Sequence, residues 1–387
     1  MVAAAFPYIQ VTIDTSAMQP VPQRVPGVIA VVGVSTAGSA AVNTPLVVSD
    51  ARDAAEKFAS RDANGVVVPT ALYGSLVLAF EQNPQPQKVY GVKVAADGHA
   101  GGLVSLEGVD DVTLVSLANV SALGAAAGET TPASGLLALK DHVERVSAAG
   151  SRRIGVAMVD PTIARSTTYA STIATQYASL ESSDGRMILV AARGATMDVA
   201  TAAMASIAGY APYTSILLKP IAGVTMPLAS QYSASEIKAL SEANIDPIID
   251  PALIEGDGMY FGEGRTFSSD PTRLFVDTVR LLDDLEFRLK AALIGLIGDA
   301  RITKSGLVRV KTRIESVLEP LEDQDVLSGF DIGIPVLDIV SRPTSTWTAG
   351  DTAAVTNARA NRAVDVQVSV KYGPAVHRLN VTLAMGF

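Results

Sequence analysis

Between residues 110 and 250 the chain alternates short apolar runs with helical segments, and that alternation limits the fold more than any other feature. Apolar runs predict strands over 112–117, 154–159, 187–191 and 215–218, with a further one over 245–249 that Pro247 weakens. Helical patterns fill the gaps at 134–149, 163–180, 197–210 and 233–243. The last opens with Ser233 and Glu236 at capping-box spacing, where each side chain can satisfy a backbone donor the helix leaves free. A strand–helix–strand repeat implies crossovers, so the expectation is an α/β body with a mostly parallel sheet. Upstream, Gly27 to Gly33 is a continuous apolar run, as in a strand buried on both faces. Residues 50–58 read as a helix and 89–94 as another strand.

Downstream the character changes. Glycines at 256, 258, 262 and 264 lead to Asp270-Pro271, a good cap and first-position pair for a helix. Leu274, Leu281, Leu285, Leu289, Leu293 and Leu296 then recur at helical spacing, which puts Asp284, Glu286, Arg288 and Lys290 on the predicted wet side. A second helix over 307–318 places Val310, Ile314 and Val317 on one face and is expected to end near Pro320. The C-terminal region is therefore predicted to be helical and β, making the whole chain α+β in a broad sense.

Both ends read as strands. Ile9, Val11 and Ile13 alternate with polar residues, and the stiff spacer carrying Pro20, Pro22 and Pro26 follows. At the other end Val364, Val366, Val368 and Val370 share one face. After Gly373-Pro374, Leu379, Val381, Leu383 and Met385 share another. A strand without a local partner exposes unpaired N–H and C=O groups and is a template for another chain. The expectation is strand exchange between subunits, with 364–370 as the receiving strand. Giving on one side and receiving on the other is a heterologous contact, which builds rings or open filaments. The expected organisation is an N-terminal arm and linker (1–26), an N-terminal α/β portion (27–99), a βαβ body (100–265), a helical and β domain (266–375) and a C-terminal arm (376–387).

Chemistry is sparse. With 30 Lys+Arg against 39 Asp+Glu the formal charge is −9, which argues against direct nucleic-acid binding. Charged residues are only 18% of the chain, below the ~25% usual for soluble domains. A subunit that buries much of its surface against copies of itself would have such a composition. There is no cysteine, and the three histidines (His99, His142 and His377) are far apart, so no metal site is expected. The N-terminus has no basic region before an apolar stretch, and no run of ~18 apolar residues occurs, so neither a secretory signal nor membrane insertion is expected. Gly33-x-x-x-x-Gly38 lacks the lysine that a phosphate loop needs, and Ser39 stands in its place. Gly256-x-Gly258 lacks the third glycine of a dinucleotide fingerprint. Ser35 and Ser241 lack the setting of a nucleophile. Asp246 and Asp250 flank a strand end but read best as a coincidental pair among many acids. His142 is expected to be solvated, and His377 to be a surface or interface group. No catalytic, cofactor-binding or metal residue is assigned. The rival reading is an α/β enzyme or small-molecule binding protein with its site at the strand ends.

Taken in order, these pieces resemble the contractile tail sheath proteins of phage tails, phage-like bacteriocins and extracellular contractile injection systems. The resemblance is carried by Val25-Pro26-Gly27-Val28, by Asn43-Thr44-Pro45-Leu46-Val47 before the 53–58 helix, and by Pro86 through Tyr90-Gly91-Val92. It continues through the βαβ body, Gly264-Arg265-Thr266, the long helix and the terminal strands. It implies stacked six-membered rings around an inner tail tube, with arms exchanged between subunits. The sleeve would contract on a signal from the baseplate, drive the tube through a target envelope and end at a tail terminator. It further implies that the helical region near 270–320 lies close to the tube, with Asp284, Arg288 and Lys290 as the candidate contacts. The implied setting is a virion tail or extracellular particle, assembled in the host cytoplasm, with no enzymatic activity and no cofactor.

Overall fold

A computed structural model describes residues 27–125, 134–256 and 258–378. In chain order these residues form β1 (Val28–Val34), β2 (Pro45–Val48), α1 (Ala51–Phe58), β3 (Ser60–Arg61), β4 (Val67–Val68) and α2 (Ala71–Phe80). Then come β5 (Lys88–Val94), α3 (His99–Ser105), β6 (Leu114–Leu117), α4 (Gly135–Ala148), β7 (Ile154–Met158) and α5 (Tyr169–Tyr177). They are followed by β8 (Met187–Ala191), α6 (Val199–Gly209), β9 (Pro220–Ile221), α7 (Ala234–Glu242), β10 (Asp246–Ile249) and β11 (Met259–Phe261). The chain continues with α8 (Val276–Leu293), α9 (Lys304–Glu322), β12 (Leu327–Gly333), α10 (Pro335–Val340), α11 (Ala349–Asn361) and β13 (Gln367–Tyr372). The described residues up to Asp284, with 375–378, make one compact unit, and Leu285–Pro374 make a second. The division falls inside α8.

The first unit is built on a nine-stranded sheet in the order β2-β5-β1-β6-β7-β8-β10-β11-β9. Its six central strands, β5 to β10, run parallel, and the outer strands β2, β11 and β9 are antiparallel. The predicted α/β class is therefore the observed one. Every residue from Val28 to Val32 is fully buried, because alternate side chains enter different cores. Ile29 and Val31 pack with α1, α2, α6 and the start of α8, while Val28, Ala30 and Val32 pack with α3, α4, α5 and α7. At ~25 cal/mol per Å² of apolar area, the two cores supply most of the drive to fold. The buried charges of this unit include an ion pair. Arg186 on the β8 side donates to both carboxylate oxygens of Asp283 on α8, at 2.7 and 3.0 Å, with both residues buried.

Several expectations need correction. No strand forms over 215–218, because Leu218 takes a left-handed backbone conformation that a strand cannot contain; the two-residue β9 follows at Pro220–Ile221. Asp270 caps a short 3₁₀ turn, and the long helix starts only at Val276. The second helix runs through Pro320 to Glu322, so the proline does not end it, although its missing N–H removes one helical bond. The helix predicted over 163–180 is confined to α5 and a following 3₁₀ turn. His142 is buried, not solvated: it faces inward on α4, where Arg153 lies 3.0 Å from its Nε2. Burial, with Arg153 and then Arg145 nearby, lowers the imidazole to about 4, so the ring is neutral at pH 7.

The second unit holds α9, α10, α11 and a two-stranded antiparallel sheet of β12 and β13. α9 buries Leu307, Ile314, Val317, Leu318 and Leu321, and its chain leads directly into β12, where Leu327 and Ile332 are buried. α11 opens on a capping box between Thr348 and Asp351.

Candidate assembly surfaces

The strand ends, where α/β folds place ligands, were the first location to weigh. A groove of about 590 Å³ there is lined by Thr70, Tyr73, Asn119, Met197 and Asp198. Its one carboxylate is already saturated. Asp198 caps α6 by accepting from the Thr201 backbone at 3.0 Å, and it also accepts from the Thr201 hydroxyl, the Ser75 hydroxyl and the Asn119 backbone at 2.6, 2.5 and 2.9 Å. A second groove, lined by Arg165, Tyr169, Ser233 and Glu236, is equally occupied by its own structure. Arg193 stacks on Tyr169 and Tyr232 and pairs with Glu236 at 2.8 Å. Burial acts to raise the Glu236 carboxyl, but hydrogen bonds from Arg193, the Ser233 backbone and hydroxyl, and Arg165 together outweigh it and lower the group to about 2. Both arrangements fix helices against strand ends.

The other chemical candidates are also packing devices. A Cβ on Gly33 would lie 2.4 Å from that of Ala118, and Gly38 has a positive φ with the Lys57 carbonyl where a Cβ would sit. Backbone N–H groups of Ser39 and Ala40 go to carbonyls at the end of α1, so the loop is not an open phosphate cradle. Ser35 is buried and donates to the Phe58 carbonyl at 2.8 Å. Asp246 is not half of an acid pair. It is fully buried and accepts from the backbone N–H groups of Glu263 and Gly264 at 3.0 and 2.9 Å, pinning the 262–264 loop. Burial raises its carboxyl to about 7 despite those donors. Among the described residues no group of three or more acids and histidines could hold a metal, and no helix is long and apolar enough to cross a membrane.

The open feature is the small sheet. β12 and β13 pair over Gly333↔Gln367, Ile332↔Val368, Asp331↔Ser369, Phe330↔Val370 and Leu327↔Tyr372, with an irregularity near Gly329. Each strand pairs only with the other among the described residues, so each keeps one edge outside the ladder. Val368 and Val370 stand in β13 as predicted, half-buried on one face between exposed neighbours. Val364 and Val366 continue that alternation but precede the strand: its partner ends at Gly333 and turns into α10 at Pro335, leaving them nothing to pair with. Of the predicted tube contacts, Lys290 is exposed and pairs with Glu286, and Arg288 is half-buried. Asp284 is buried at 3% exposure and is no outward contact; the inward stripe of α8 is wider than leucine spacing alone implied.

Beyond β13, the Gly373 N–H donates to the Val326 carbonyl at 3.0 Å, and Pro374 ends the second unit. The next residues dock on the α/β unit. His377 Nε2 lies 2.8 Å from the Ser215 hydroxyl, and its ring meets Phe275 edge-on at 5.0 Å. Arg378 pairs with Glu263 at 3.2 Å. Burial acts to raise the Glu263 carboxyl, but the Ser241 hydroxyl, Arg378 and Arg265 together outweigh it and hold it below the usual range. Asp246, Glu263 and Arg378 thus link the parallel sheet to residue 378, the last one described. Glu263 and Arg378 are 115 positions apart, so no sequence spacing could have signalled the pair. The expected arm residues Ile9, Val11, Ile13, Leu379, Val381, Leu383 and Met385, and the hinge prolines Pro20, Pro22 and Pro26, lie outside the described residues.

No protein-family model matches the sequence, and no curated protein matches it. Solved structures do. The helical sheath of the anti-feeding prophage in its contracted state is 15% identical, with a TM-score of 0.65 and 99% of each chain covered. The sheath complex of an extracellular contractile injection system, PVC, also contracted, is 16% identical with a TM-score of 0.64, covering 99% of this chain and 98% of that one. A sheath tail protein from Desulfitobacterium hafniense is 10% identical, with a TM-score of 0.57 over 85% of this chain and 93% of that one. The described residues of this chain have the fold of the contractile sheath proteins.

Proposed function

We propose that the chain is the structural subunit of a contractile sheath. Copies polymerise as stacked six-membered rings around an inner tail tube, and contraction drives the tube through a target cell envelope. Its partners are other copies of itself, the tube protein, the baseplate and a tail terminator, with Arg288 and Lys290 directed at the tube. Its setting is a virion tail or an extracellular contractile particle assembled in the host cytoplasm. It carries out no catalysis and needs no cofactor, the energy being held in subunit packing. The observation that supports this most is a two-stranded sheet with open edges inside a chain of sheath fold. Residues 1–14 and 379–387, read from sequence as strands, would add to that sheet in neighbouring subunits. Pro20, Pro22, Pro26, Gly373 and Pro374 would let the links bend while the rings move.

Negative-stain microscopy of the purified protein tests this reading: long striated sleeves are expected, and uniform small particles would overturn it. Deleting residues 1–14 should leave a folded, soluble subunit that builds no continuous sleeve. Normal sleeves from the truncated protein would show that this segment is not a connector.

A further inference from the structure

The helices with charge at both ends mostly obey their own dipoles. α1 has Asp53 in its first turn and Lys57 in its last, α8 has Asp277 and Lys290, and α11 has Asp351 and Arg359. α9 does the reverse. Lys304, Arg309 and Lys311 occupy its N-terminal half, and Glu315, Glu319 and Glu322 its C-terminal half. Its buried residues lie on one side, while Lys304, Val308, Arg309, Glu319 and Glu322 are exposed and Lys311 and Glu315 half-buried. None of these six charged groups is in an ion pair among the described residues. The helix therefore carries a basic patch and an acidic patch that its own fold does not reward. At 1.5 Å per residue their centres are about 16 Å apart, beyond the ~8 Å screening length at physiological salt, so the two act separately.

We infer that α9 is a heterologous contact between copies of this chain, the basic half of one helix meeting the acidic half of the next. A single helix supplies both complements, so a copy shifted by about 16 Å along the axis matches charge to charge, and the contact propagates instead of closing. The acidic half runs directly into β12, so this contact is continuous with the sheet proposed to receive neighbouring strands. The inference rests on the sheath reading and adds to it a surface that orients the subunits, with opposite charges setting the register.

The test uses the full chain and two charge-reversed variants. One carries Lys304→Glu, Arg309→Glu and Lys311→Glu, and the other Glu315→Lys, Glu319→Lys and Glu322→Lys. Each reversal agrees with the helix dipole, so thermal unfolding should be unchanged or slightly higher. Each variant alone should need roughly tenfold or more protein to polymerise, by sedimentation and microscopy, while an equimolar mixture should assemble like wild type. Wild-type assembly by either variant alone overturns the inference. So does failure of the mixture while both variants remain folded; if only the first reversal weakens binding to an added acidic tube protein, the basic half serves that partner instead. A wild-type chain that never polymerises overturns the sheath reading itself. Should a variant unfold, assembly of the wild type against added salt decides: polymer should be lost as salt rises, and indifference to salt overturns the contact.

Discussion

The nine-stranded sheet and the β12–β13 sheet treat their edges in opposite ways. At one end of the nine-stranded sheet β2 is four residues long, starts with a proline that has no N–H, and has its Val47 carbonyl capped by the Lys57 ammonium at 2.7 Å. At the other end β9 again starts with proline. Ser206 takes the Pro220 carbonyl at 2.8 Å, and Gln82 both donates to and accepts from the Ala222 backbone at 2.9 Å. These are the devices by which sheets avoid pairing edge to edge. β12 and β13 have seven and six residues, no proline, and among the described residues no strand neighbour beyond each other. The nine-stranded sheet is closed at both edges, whereas the β12–β13 ladder keeps edges that could still be extended.

The largest expected effect is on the sealed body. Asp283→Ala would strand the buried Arg186 guanidinium, and breaking such a pair costs about 3–5 kcal/mol. Urea unfolding should show that loss, and a change below ~1 kcal/mol would mean that water reaches the site.

Acid should act next, through His142. Its folded pKa of about 4 lies below the unfolded 6.5, so the unfolded chain binds the proton first as pH falls. The stability that the neutral ring contributes is complete above pH 6.5 and is lost between 6.5 and 4, about 3 kcal/mol in all. Asp246 runs the other way, since its raised pKa makes the folded state the better proton binder between about 4 and 7. The two oppose each other in the intact protein, so the informative measurement is a difference. His142→Gln should gain about 3 kcal/mol on wild type between pH 7.5 and 4. A constant difference across that range would show that the imidazole is charged or solvated in the fold.

The smallest energetic change sharpens the comparison most. Lys57→Ala removes the half-exposed cap on β2 and its pairing with Asp53, which should cost less than ~1 kcal/mol. It should nevertheless promote association through the uncapped edge, read by sedimentation in a chain lacking residues 1–14. If that variant is no more prone to associate than its parent, β2 is protected by its length and proline alone.

What sequence could determine is what local physics determines. Runs such as 28–32 and 187–191 are apolar at every position because both faces of a parallel strand are covered, and that is visible without coordinates. The capping box at Ser233 and Glu236 formed as spaced, because both partners lie within one turn. The small-residue stretch near 200 became α6, buried along nearly its whole length, which only short side chains permit. Tertiary structure decided the rest, since the deciding partners are distant in the chain. His142 was misplaced because its partner Arg153 sits on the next strand, and Asp284 because the inward face of α8 is set by what packs on it. Asp246 reads as a free acid until the 262–264 loop closes over it. Whether a strand edge is sealed depends on a lysine and a serine contributed by helices and a glutamine just past the end of α2, and no period in the sequence records where those segments come to rest.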